Sequence, residues 1–296
     1  MRISQSMLSN NALHNLNNNL RTIQKLNEQL ATGKKINKLS DDPVGLSFSL
    51  RYKEDLAQNK QFQRNVDYAN SKIIQTENSI SATNDILQRA RELAVQGANG
   101  SSSKESRSSI ASEIHQLYEQ LVDIGNSQYN GEYIFNGQLT NIKPYDSITA
   151  PLTTPDQGKI QLEVGKGITF GINVSGATLF GEAGDPTNAF SVLKQLETAL
   201  LNDNAEEISN SFGVIDERLN VVIERFADVG AITNRIELIT ARLKEEDINL
   251  NSLISQTEDA DIAMVITSLN SAQNIYEASL KVTADIIQPS LLNFLK

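Results

Sequence analysis

Residues 208–254, ISNSFGVIDERLNVVIERFADVGAITNRIELITARLKEEDINLNSLI, decide the fold. One heptad position repeats as Ile208, Ile215, Val222, Val229, Ile236, Leu243 and Leu250. The other repeats as Phe212, Leu219, Phe226, Thr233, Thr240, Asp247 and Ile254. A narrow stripe in unbroken heptad register belongs to one continuous helix that packs on partner helices as a coiled coil or long bundle. At about 1.5 Å per residue the helix is on the order of 70–75 Å long. Gly213 and Gly230 each cost about 1 kcal/mol relative to alanine, too little to break it.

The same pattern recurs upstream. Phe62, Val66, Ala69, Ile73, Thr76, Ile80, Thr83, Leu87, Ala90 and Ala94 alternate spacings of four and three. Ile110, Ile114, Leu117, Leu121 and Ile124 form a second stretch. Between them, Gln96 to Ser103 holds two glycines and a serine run, which ends one helix and starts the next near Ser103. Residues 104–128 therefore fold back on 60–95, with the later helix as a further antiparallel partner.

Residues 131–186 contain nine of the sixteen glycines and four of the six prolines, so loops and strands are expected there. Lys159–Val164 and Ile168–Val174 alternate polar and apolar residues around Gly165-Lys166-Gly167, the pattern of a hairpin. A lone hairpin is marginal in water, so a third strand is expected from Tyr133-Ile134-Phe135 or Thr178-Leu179-Phe180.

The chain ends carry weaker stripes. Leu13, Leu16, Leu20, Ile23, Asn27 and Leu30 lie in an asparagine-rich helix, a composition that competes with helical backbone bonding. Ile262, Ile266, Leu269, Tyr276, Leu280, Thr283 and Ile287 form the other, stopping before Pro289, with Leu291, Leu292, Phe294 and Leu295 beyond. Such helices are marginal alone and order when docked. Residues 1–39 hold six basic and one acidic residue, and 257–296 hold two and five, a complementarity that favours mutual docking. The fold class is mainly α: a long antiparallel helical bundle or coiled coil built from both chain ends, with a small inserted β domain. The expected division is 1–42 with 257–296, 43–137 with 188–256, and 138–187.

Composition narrows the chemistry. Zero cysteine among 296 residues excludes disulfides, thiolate metal sites and cysteine nucleophiles. His14 and His115 cannot form a multi-histidine metal site. A net charge of −10 argues against non-specific nucleic-acid binding. The excess of cations in residues 1–64, ten against five, has almost no aromatic interleaving. No run of about 18 apolar residues suits a membrane span, and the first residues have no signal-peptide pattern.

Asp41-Asp42 before Pro43 has the residue types for acid–base or metal chemistry, but adjacent carboxylates seldom converge, and this order suits a helix start. Asp259-Ala260-Asp261 lacks the glycine and glutamate of a calcium loop and suits a helix N-terminus. The glycines at 165, 167 and 171 have the wrong spacing for a dinucleotide fingerprint. No catalytic, cofactor or metal residue is expected. The polar stripe residues Asn27, Thr233, Thr240 and Asp247 have two open readings, imperfect packing or register control.

Several motifs together resemble the flagellin superfamily. They are Met1-Arg2-Ile3, Leu30 to Asn37 (LATGKKIN), Asp41 to Leu46 (DDPVGL), Gln88 to Gln96 (QRARELAVQ) and Glu258-Asp259-Ala260-Asp261. Pro43 stands where flagellin usually has alanine, and Gly131 to Gly137 (GEYIFNG) is similar to the turn of the hook-associated protein 3 branch. The resemblance implies a structural subunit at the hook–filament junction, extracellular and exported by the flagellar type III route without a cleaved signal. It implies as partners further copies of the chain, hook-associated protein 1, flagellin and a cytoplasmic export chaperone on the C-terminal helix, with no membrane insertion. Leu13, Leu16, Leu20, Ile23, Ile262, Ile266, Leu269, Leu280, Leu291 and Leu292 are the expected assembly face. The alternatives are a minor flagellin, a helical secreted adaptor or effector unrelated to motility, and an enzyme with its site in 138–187.

Overall fold

In the computed structural model, residues 5–100 and 102–287 are described. The chain divides into two compact units, Met1–Gln58 with Glu246–Lys296 and Asn59–Glu245. Helices α2 (Pro43–Ala98) and α6 (Ala205–Glu258) contribute residues to both. The first unit also contains α1 (Gln5–Thr32) and α7 (Ile262–Ile287). The second contains α3 (Lys104–Gly125), the short α4 (Gly176–Phe180), α5 (Ala189–Leu201) and two hairpins.

The second unit is built on the heptads. Val66, Ala69, Ile73, Ile80, Leu87, Ala90 and Ala94 of α2 share one core with Ile110, Ile114 and Leu121 of α3 and with Ile208 to Leu243 of α6. Direction is read from cross-links: Arg107 Nε donates to the Gly97 carbonyl at 2.8 Å, and Arg89 pairs with Glu113 at 2.7 Å, so α3 runs antiparallel to α2. Gln63 reaches the Leu243 carbonyl at 3.3 Å and Arg91 pairs with Asp216 at 2.5 Å, so α6 is antiparallel too. In α6 the first heptad position is buried from Ile208 to Leu250, while in the second Phe226 is exposed and Thr233 and Thr240 are half-buried. Both threonine hydroxyls donate within α6, to Val229 and Ile236 carbonyls at 3.1 and 2.8 Å. Asp247 accepts from Asn251 at 3.0 Å, also within the helix, and Asn27 is exposed. None of these bonds specifies a register between helices.

Helix starts follow the capping chemistry. Asp42 Oδ1 accepts from the N–H of Val44 and Gly45 at 3.1 and 2.9 Å, opening α2 at Pro43. Ser103 accepts from Ser106 N–H to open α3, and Asp261 accepts from Met264 N–H to open α7. Each satisfies backbone donors that have no intrahelical acceptor. Gly33, at φ +71°, ends α1 in the left-handed conformation that costs other residues strain.

Among the described residues no third strand joins the expected hairpin. β3 (Gln161–Gly165) and β4 (Ile168–Gly171) form a two-stranded hairpin. Thr178–Phe180 belongs to α4, and Tyr133 pairs in a separate hairpin of β1 (Gln128–Tyr129) and β2 (Glu132–Tyr133). Helices supply the missing support for β3–β4. Asn65 Nδ2 donates to the Glu163 carbonyl at 2.7 Å, and the Arg235 guanidinium lies 4.9 Å from the Phe170 ring centre.

Residues 138–187 do not have a core of their own: Tyr145, Ala150, Val164, Phe170, Ile172, Leu179 and Phe180 belong to the same core as the helices. Aromatic packing explains this. The Phe180 ring sits 5.2–5.6 Å from those of Phe135, Tyr145 and Phe190, and Phe190 belongs to α5. Arg218 of α6 adds a polar staple, donating to the Thr187 carbonyl at 2.5 Å and pairing with Asp185 at 2.8 Å.

Candidate assembly surface and its joint

Helices α1 and α7 pack against each other as a hairpin of distant chain segments. The half-buried line on α1 is Ser9, Ala12, Leu16, Asn19, Ile23, Leu26 and Leu30. On α7 the matching line is Val265, Leu269, Ala272, Tyr276, Ser279 and Thr283. Both alternate spacings of three and four, as two helices paired along a heptad line do. Asn19 Nδ2 donates to Ser279 Oγ at 3.1 Å across this line.

The ten expected face residues therefore separate into groups. Leu16, Leu20, Ile23 and Leu269 are half-buried, with Leu16, Ile23 and Leu269 on the line where the two helices meet. Leu13, Ile262, Ile266 and Leu280 are exposed at 41–45%. Leu291 and Leu292 lie outside the described residues. The sequence reading missed Met7, Leu8, Met264, Ile275 and Val282, which are also exposed on this hairpin. Their signal was an apolar residue standing just off the heptad stripe. The hairpin thus presents an apolar outer surface that no residue of the described chain covers.

Charge pairing along the hairpin is not what joins it. Among the described residues no ion pair links α1 to α7: Lys25 goes to Asp41 at 2.9 Å, and Lys38 to Glu28 at 2.7 Å. The charges meet at the base instead. Lys35 N–H donates to the Glu258 carbonyl at 2.7 Å and Ala260 N–H donates to the Gly33 carbonyl at 2.9 Å, so the backbones of Lys34 and Asp259 pair as an isolated antiparallel β-bridge. Lys35 Nζ adds a bond to the Gln256 carbonyl at 2.8 Å. The two sequence motifs around Lys34 and Glu258, 224 positions apart, are one local structure.

Glu258 stands at its centre, 2% exposed. Its Oε1 accepts from Ser49 and Lys53 of α2, and its Oε2 pairs with Lys34 at 2.9 Å. Burial pushes the carboxyl up, but the donors Lys53, Ser49 and Lys34 outweigh it and hold the group at about 2. Ile36 is buried beside the same turn, and a Cβ on Gly45 would lie 2.7 Å from its Cδ1.

The second unit carries the turn that separated the branches of the resemblance. Asn130 and Gly131 have φ of +53° and +82°, as the two-residue hairpin turn requires. Glu132 accepts from the Tyr68 hydroxyl at 2.9 Å and faces Lys72 at 3.4 Å, a lysine only 1% exposed. Burial and that hydrogen bond push the Tyr68 phenol up to about 12. Ile134 and Phe135 are buried, and Asn136 donates to Leu139 and Ile142 carbonyls while accepting from Asp156 N–H. No group of three or more metal-ligating side chains occurs among the described residues, and no described helix is long and apolar enough to cross a membrane.

Comparison with known proteins fits this architecture. The bacterial flagellin N-terminal helical region matches residues 3–140, and the flagellin C-terminal helical region matches 212–295. The chain belongs to the flagellin family, and it is a structural flagellar protein rather than an enzyme. It is 27% identical to the flagellar hook-associated protein 3 of Salmonella typhimurium over 98% of both chains. It is 28% identical to a flagellin of Bacillus subtilis over 97% of both. The crystal structure of Bacillus cereus FlgL shares the fold, with a TM-score of 0.61 and 24% identity, over 69% of this chain and 99% of that one.

Proposed function

We propose that this chain is the subunit that joins the flagellar hook, through hook-associated protein 1, to the flagellin filament. The segment Gly131–Gly137 carries this reading. Its sequence is similar to the turn of the hook-associated protein 3 branch; Glu132 ties β2 to α2, Asn136 ties the segment to the 138–156 loop, and Ile134 and Phe135 are buried. The near-full-length likeness to the Salmonella protein supports it. Copies assemble in a ring through the outer face of the α1–α7 hairpin, centred on Leu13, Ile262, Ile266 and Leu280, with Leu291 and Leu292 at the chain end. The protein is exported by the flagellar type III route without a cleaved signal, with a cytoplasmic chaperone on its C-terminal helix, and acts outside the cell.

Deletion of the gene tests the reading. A junction subunit leaves complete hooks without filaments and flagellin lost into the medium. Short filaments on the mutant overturn it. The equal likeness to a filament subunit favours one second reading, a minor flagellin. Polymerisation of the pure chain into long filaments selects that reading.

A further inference from the structure

We propose that Glu258 is a positioning residue that fixes the direction of the α1–α7 hairpin relative to the first turns of α2. The inference rests on the reading of that hairpin as the assembly surface and adds how its orientation is held.

Both covalent routes into the hairpin are non-helical. Residues 33–42 separate α1 from α2, and Asp259-Ala260-Asp261 separates α6 from α7. No continuous helix therefore carries direction into either member of the pair. Contacts at the base must do so, and they converge on one side chain. Glu258 is at the last turn of α6, Lys34 is on the loop after α1, and Ser49 and Lys53 are on α2. The backbone bonds Lys35 to Glu258 and Ala260 to Gly33 close the same joint.

The charge on Glu258 is matched by two lysines from different elements. Lys34 and Lys53 have no other carboxylate within ion-pair distance among the described residues. The neighbouring acids are engaged elsewhere: Asp259 accepts from Ser255 at 2.5 Å, and Asp261 caps α7. Lys35 is held by the Gln256 carbonyl. Without the Glu258 charge, the Lys34 and Lys53 ammonium groups, both partly exposed, lose the one carboxylate that pairs with both of them, and Asp259 acts on Lys34 only from beyond ion-pair distance. The result is a hairpin whose helices persist while its angle is lost, because the half-buried line between α1 and α7 does not involve Glu258.

The cysteine-free chain allows a direct test in the full-length protein. Spin labels at Ser47→Cys on α2 and Gln273→Cys on α7, both exposed, report the distance distribution between these helices. The expected result is one narrow peak in the parent chain and at least a twofold broader one in Glu258→Gln, with helix content by circular dichroism unchanged. Filament restoration in a deletion strain should fall about tenfold, as a 1.4 kcal/mol loss would give. The triple change Glu258→Lys, Lys34→Glu, Lys53→Glu should restore the narrow peak and part of the filament restoration. A narrow peak in Glu258→Gln overturns the proposal. So does a loss of helix content in that variant, which would make Glu258 merely a stabilising group. So does a broad peak with unimpaired restoration. Failure of the underlying reading shows separately: Leu13→Glu with Ile266→Glu would then assemble normally, whatever Glu258→Gln does.

Discussion

Asn19 and Ser279, 260 positions apart, meet through a 3.1 Å hydrogen bond inside the line where α1 packs on α7. The bond marks a gradient along the hairpin. Toward the base the line is Ile23, Leu26, Leu30, Val265 and Leu269, and toward the chain ends it becomes mainly small and polar, with Ser9, Ala12, Asn19, Ala272, Ser279 and Thr283 around Leu16 and Tyr276. Small and polar residues bury less apolar area, so the end of the hairpin is its weaker part. Asn19→Leu should raise the melting temperature of the α1–α7 pair, by about 1 kcal/mol of added burial. Thermal denaturation followed by circular dichroism checks it. A fall in stability would mean that the hydrogen bond outweighs the burial.

The outer face and the pairing line should separate experimentally. Leu13→Glu and Ile266→Glu alter exposed positions and should leave monomer helix content intact while abolishing assembly. Leu16→Glu and Leu269→Glu place a charge on the half-buried line and should lower the helix content of the monomer itself, at about 1–3 kcal/mol each. Circular dichroism with a sedimentation assay of assembly distinguishes the two pairs. Identical behaviour of both pairs would contradict the division.

Gly137 should be the least replaceable glycine of the Tyr-Ile-Phe segment. It has φ +52°, and a Cβ there would lie 2.5 Å from the Asp156 carbonyl oxygen. Gly131 has φ +82° with open space around it. Gly137→Ala should cost about 3 kcal/mol and Gly131→Ala about 1 kcal/mol in urea unfolding. Equal costs would show that backbone conformation alone matters at both sites.

Arg218 should be worth more than a surface cation. It is 3% exposed, and burial pushes its guanidinium down while Asp185 opposes that. Arg218→Met removes the donor to Asp185 Oδ2 and to the Thr187 carbonyl, while Thr187 still donates to Asp185 Oδ1, and should cost about 2 kcal/mol in urea unfolding. A loss below about 1 kcal/mol would place the pair among surface salt bridges.

Acid should loosen the joint at Glu258. The fold holds this carboxyl at about 2 against an ordinary 4.5, so folding favours its charged form. Its contribution is complete above 4.5 and is lost as pH falls toward 2. The stability difference between the parent chain and Glu258→Gln should be constant at neutral pH and shrink through that window. Thermal melts across the range measure it. A difference that persists unchanged at pH 2 would assign the effect to packing.

Much of the architecture was legible because heptad spacing leaves little choice. Most stripe residues in α2, α3 and α6 lie in the core of the second unit, and the caps at Asp42, Ser103 and Asp261 stand where side-chain oxygens precede helical runs. The β segment was legible only in part. Alternation located β3 and β4, but Thr178–Phe180 is too short for its pattern to tell strand from helix, and its placement in α4 comes with the aromatic cluster around Phe180. The hairpin face was half legible for a similar reason. One-residue displacement of a stripe separates Ala12, on the pairing line, from Leu13, outside it, and hydrophobicity alone favoured the leucine.

The sequence by itself determined the helical class, the absence of thiol chemistry and the family resemblance, since these follow from periodicity, composition and short motifs. Only the tertiary structure decided that Lys34 and Glu258 are one joint, that residues 138–187 share the helices' core, and which side of α1 and α7 is left open. Those depend on contacts between residues far apart in the chain, where burial and charge pairing act across space and leave no period in the sequence.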